Sequence, residues 1–174
     1  MKNIILLITI LFFVQNLVAQ QEEKQCPCCS EPHNSFDFWI GDWTVYDVNG
    51  KVVGYNTIEK QYDNCVLQEK WISSAKNRGT SYNYYDKNDS TWNQVWVDNS
   101  GFSLTLKGMY SEGIMVLKSE LLEGQKGKYY NQITWTKNED GSVTQVWNIF
   151  NEKNKMTQEA FRGIYKKSVK TIKK

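Results

Sequence analysis

The chain has 174 residues, with 21 lysines and arginines against 19 aspartates and glutamates, and 40% of its residues are hydrophobic. That is enough for one domain with a substantial core. The near-neutral balance gives no electrostatic footing for a nucleic-acid partner, so none is expected.

Residues 1–20 open with one lysine, run apolar from Ile4 to Val14 and reach Ala19 before the polar Gln21-Glu22-Glu23. This is the pattern of a secretory signal peptide cleaved after Ala19 or Gln20. The apolar run falls short of the roughly 20 residues a membrane span needs, and Gln15 and Asn16 interrupt it. No later segment reads as a span. The mature protein is therefore expected in the periplasm or outside the cell. Residues 21–35 hold both prolines and three of the four cysteines, and read as an irregular Cys-rich leader. Residues 168–174 form a basic tail, expected to be frayed and solvated.

From Phe36 to residue 167 there is no proline, and aromatic and β-branched runs alternate with turn residues. Asn49-Gly50, Asn99-Ser100-Gly101, Glu112-Gly113 and Asp140-Gly141 mark tight turns at intervals of about ten residues, the signature of an all-β meander. Ten strands are predicted, at about 42–48, 51–61, 65–73, 79–86, 91–98, 102–110, 113–121, 128–137, 142–150 and 156–166. Helical periodicity is confined to a single turn at 35–38. Short connections throughout favour a ten-stranded antiparallel up-and-down β-barrel, whose closure removes exposed edges.

Strand alternation puts Leu67, Glu69 and Trp71 on one face. Trp92, Gln94 and Trp96 share a face of another strand, as do Val143, Gln145 and Trp147. An acid or amide thus sits beside a tryptophan three times. If these faces point inward, Glu69, Gln94 and Gln145 are interior polar groups, each costing roughly 2–7 kcal/mol without a partner. They must bond to one another, to water or to a ligand. The ligand reading predicts a small hydrophobic or aromatic molecule held among Trp71, Trp96 and Trp147, with Tyr84 at the rim and the three polar groups orienting it. Two alternatives share these residues: an enzyme using Glu69 as general acid or base, and a structural domain with a filled core.

Cys26-Pro27-Cys28-Cys29 and His33 match no strong zinc spacing, and an exported protein meets an oxidising compartment. Disulfides are expected instead, with Cys65 bonded to Cys28 or Cys29 so that the leader is stapled to the barrel. The single histidine, His33, lies outside the barrel, which leaves neither an axial haem ligand nor a serine–histidine triad. No phosphate loop is present. No cofactor and no metal are expected.

Phe36-Asp37-Phe38-Trp39-Ile40-Gly41-Asp42-Trp43 and Asn64-Cys65-Val66-Leu67-Gln68-Glu69-Lys70-Trp71 resemble the secreted bacterial lipocalin-like family of unknown function, which opens with Phe-Trp-x-Gly-x-Trp. Trp92 to Asp98, Asp140 to Trp147 and Phe161 to Tyr165 continue the resemblance to nearly the end of the chain. It implies a calycin-type barrel and no established activity. It also implies a closure in which Arg162 of the last strand stacks over Trp43 of Gly41-Asp42-Trp43, a structural pair. The sequence departs from the family pattern after Trp147, at Asn148 to Lys155.

Overall fold

A computed structural model of the chain describes residues 26–168. The expected signal peptide, the first leader residues and the tail beyond Ser168 lie outside the described residues. The alternating runs form ten strands: β1 (Gly41–Tyr46), β2 (Val52–Gln61), β3 (Val66–Ser73), β4 (Arg78–Asp86), β5 (Thr91–Asp98), β6 (Ser103–Ser111), β7 (Ile114–Lys118), β8 (Tyr129–Lys137), β9 (Val143–Asn151) and β10 (Met156–Lys167). Each pairs antiparallel with its neighbours in sequence, and β1 pairs with β10, so the sheet closes as an up-and-down barrel. β7 stops at Lys118 instead of running to about 121, and one bridge between Leu122 and Tyr129 continues the pairing beyond it.

A repeated side-chain device shapes the hairpins. Asp47 accepts from the backbone N–H groups of Asn49 and Lys51, Asp98 from Ser100, Asp140 from Ser142, and Asn151 from Lys153 and Lys155. Each residue turns the chain by satisfying donors that the ladder has left behind.

The leader is more ordered than its composition suggests. The single helical turn expected at 35–38 is displaced to two short pieces, α1 (Glu31–Asn34) and a 3₁₀ turn at Asp37–Trp39. Together they plug one barrel end. Phe36 and Trp39 are fully buried and stacked at 5.0 Å, and Phe36 meets Trp92 and Trp135 edge-on. Polar contacts fix the plug's rotation. The Trp92 indole N–H donates to Ser35 Oγ (2.9 Å), and the Trp43 indole N–H to the Trp39 carbonyl (2.8 Å). Lys60 bridges Asn34 and Asp37. Cys28 is disulfide-bonded to Cys65 at the β2–β3 turn, and Cys26 to Cys29.

The closure around Trp43 differs from the one the resemblance implies. Lys167, not Arg162, lies over the Trp43 ring, its Nζ 3.8 Å from the centroid, and it also donates to the Ile40 carbonyl. Strand parity is the reason. Trp43 pairs directly with Lys167, whereas Arg162 faces outward and forms a bidentate pair with Glu159. Gly41 beside this lysine has φ +131°, a backbone conformation that L side chains rarely adopt.

Candidate functional site

The plug fills one end of the barrel, and the other end holds an internal cavity of about 500 Å³. Its floor is polar and its walls are aromatic. Register builds both. On the inward face Glu69 pairs with Ser81, Ser81 with Trp96 and Trp96 with Leu104, so a carboxyl, a hydroxyl and an indole form one row across four strands. One row nearer the plug, Leu67 pairs with Asn83 and Asn83 with Gln94.

The floor is a directed hydrogen-bond network. Glu69 Oε1 accepts from Asn56 Nδ2 (2.7 Å) and Oε2 from Ser81 Oγ (2.6 Å). Asn83 Nδ2 donates to the Leu67 carbonyl (3.1 Å) and to Ser81 Oγ (2.9 Å). Gln94 Nε2 donates to Asn83 Oδ1 (2.8 Å). Across the barrel, the Tyr165 hydroxyl donates to Gln145 Oε1. Burial pushes the Glu69 carboxyl above its ordinary value, partly offset by the Ser81 and Asn56 hydrogen bonds. Burial raises the Tyr165 phenol well above its usual range, and the neighbouring Glu69 charge adds to this.

The walls are Trp71, Trp96 and Trp147 with Phe102, Phe161, Leu104 and Ile133. Two glycines seat the indoles: a Cβ at Gly54 would strike the Trp71 ring, and one at Gly79 the Trp96 ring. Both rings therefore lie against the sheet and leave the lumen open. Trp147 is fixed by its N–H bond to Asn131 Oδ1 (2.9 Å) and by Phe102, stacked on it at 6.2 Å; Phe161 meets Trp71 edge-on. At the mouth, Asp98 accepts from Ser100 and from Asn77, and the Ser100 hydrogen bond leads in holding its carboxyl below the usual range.

Six of the seven residues expected at the site, Glu69, Trp71, Gln94, Trp96, Gln145 and Trp147, line this one cavity. Tyr84 does not. It is 38% exposed on the outer wall, because register pairs Gln94 with Asn83 and Trp92 with Tyr85, which sends Tyr84 to the opposite face. The same register, read from the β4–β5 turn, is the signal that would have found Asn83 and Ser81. Asn56 and Tyr165 were also missed; each sits alone among residues that carry no comparable pattern. All four cysteines are in disulfides, and His33 bonds Ser30 and touches Tyr85, away from the cavity. Among the described residues no three His, Cys, Asp or Glu side chains converge as a metal site, and no helix is long and apolar enough to cross a membrane.

No family model matches this sequence, and no curated protein does. The likeness to lipocalin-like proteins rests on the closed ten-stranded barrel and on the sequence segments quoted above.

Proposed function

We propose that the protein is an exported member of the lipocalin-like family that holds a small hydrophobic or aromatic molecule in its cavity. One observation carries this reading: an open, indole-walled cavity of about 500 Å³ over a polar floor, within the range of small-molecule sites. A packed structural core would not leave glycines under two indoles to keep a lumen clear. The enzyme alternative draws on the raised Glu69 carboxyl. Both Glu69 oxygens, however, are engaged by Asn56 and Ser81, an arrangement that suits a fixed recognition group better than a mobile proton carrier.

The test is a titration with the neutral fluorescent probe N-phenyl-1-naphthylamine. Saturable enhancement at one site per chain is expected. Ala160→Trp should abolish it, because Ala160 is exposed and lines the cavity, so an indole there obstructs the lumen without entering the core. Absence of saturation, or an unchanged isotherm in Ala160→Trp, would overturn the proposal.

A further inference from the structure

Resting on the ligand-binding reading above, we propose that the cavity selects amines: ligands whose protonated nitrogen meets Glu69 while an aromatic or aliphatic body lies among the indoles. Three independent observations point there.

The first is charge. Glu69 is 6% exposed and, among the described residues, makes no ion pair, and the described residues lining the cavity include two carboxylates and no lysine, arginine or histidine. A buried carboxylate without a countercharge is costly, and a cationic ligand supplies one.

The second is hydrogen-bond direction. The Leu67 carbonyl can only accept, which fixes the Asn83 amide, and Asn83 Oδ1 in turn fixes Gln94. The free end of Gln94 is therefore its carbonyl oxygen, an acceptor without a protein partner among the described residues. Asn56 Oδ1 is also without a partner among the described residues, although Asn56 itself is outside the cavity lining. The nearby Tyr165 hydroxyl has one proton and spends it on Gln145. Against these acceptors the free donors of the floor and walls, among the described residues, are Gln145 Nε2 and the Trp71 and Trp96 indole N–H groups, none of which carries a charge. A ligand rich in donors completes the network, and an ammonium has three.

The third is the wall. Indole faces attract cations, and Trp96 shares a row with Ser81 and Glu69. A carboxylate ligand would instead meet Glu69, Asp98 and the unpaired acceptors. A neutral alcohol brings one donor and no countercharge for Glu69.

The pH dependence follows from the groups facing Glu69. Asn56 on β2 and Ser81 on β4 do not titrate, Tyr165 on β10 stays neutral, and Asp98 at the mouth is ionised throughout. Of these groups Glu69 is the one whose charge state changes above the ordinary carboxylate range, because burial raises its carboxyl. Its carboxyl binds a proton more readily than usual when the cavity is empty, and an ammonium displaces that proton. Amine affinity therefore rises with pH through the Glu69 titration.

The experiment is calorimetric titration of the full mature protein with 2-(1-naphthyl)ethylamine, 2-(1-naphthyl)ethanol and 3-(1-naphthyl)propanoate, near pH 5 and near pH 8. At the higher pH the amine is expected to bind at least about tenfold tighter than the alcohol, with no measurable heat from the acid. This margin should shrink at the lower pH and disappear in Glu69→Gln, whose fold is checked by a thermal melt. The wild-type comparison needs no variant to fold. An alcohol that binds as tightly as the amine would overturn the amine assignment and leave the cavity reading standing. If none of the probes saturates, and N-phenyl-1-naphthylamine also fails, both readings fall.

Discussion

Removing the Cys28–Cys65 bond should loosen the plug far more than removing Cys26–Cys29. The first bond spans 37 residues and ties the leader to the β2–β3 turn, whereas the second spans three within the leader itself. In the chain-entropy treatment a closed loop of that larger size is worth about 4 kcal/mol, and the small one about 1.5 kcal/mol. For a domain of about 140 residues, at about 2.1 cal/mol/K of unfolding entropy per residue, these correspond to Tm losses of about 13 °C and about 5 °C. Calorimetric melts of Cys28→Ser/Cys65→Ser and Cys26→Ser/Cys29→Ser would measure both. The plug's aromatic contacts do not depend on either bond, so both variants should still fold and bind N-phenyl-1-naphthylamine at the far end of the barrel. Equal losses, or a larger loss from the Cys26–Cys29 variant, would refute the view that the leader is stapled across the barrel end.

Three further outcomes are expected. Gly79→Ala drives a methyl group into the Trp96 ring and to within 2.9 Å of the Val97 carbonyl, so thermal melts should show a loss of about 1–3 kcal/mol; wild-type stability would mean that the glycine does not seat the indole. Lys167→Met removes the cation over Trp43 and should cost about 0.5–1 kcal/mol, whereas Arg162→Ala, an exposed site, should stay within about 0.5 kcal/mol; the reverse ranking would restore the arginine closure. Because burial raises the Glu69 carboxyl in the folded state, its contribution is fully present below the unfolded value and is lost as pH rises through the folded one. Melts of Glu69→Gln should accordingly show the variant gaining on wild type as pH rises above the unfolded carboxylate value, about 4.3, and parallel profiles would count against a desolvated carboxyl.

The barrel was legible in the sequence because its hairpins are short and its turn residues explicit, so strand number and order followed from spacing. Three strands also announced the site, since Glu69, Gln94 and Gln145 each stand two residues from a tryptophan. What could not be read was anything that depends on two distant strands meeting. Lys167 rather than Arg162 covers Trp43 because β1–β10 register decides it, and the two residues lie on opposite faces of one strand. Tyr84 attracted attention as an aromatic, yet parity inherited from β5 turns it outward. The plug was hidden for another reason. The leader's prolines and cysteines suggest irregularity, while Phe36 and Trp39 gain their burial only inside a barrel that the rest of the chain completes.

The most direct measurement is a crystal structure of the protein soaked with 4-bromophenethylamine, phased for bromine. The bromine signal should appear inside the barrel among Trp71, Trp96 and Trp147, with the ammonium directed at Glu69. A signal confined to the outer surface, with those indoles closed over an occupied core, would contradict the claim that the barrel is a ligand-binding site.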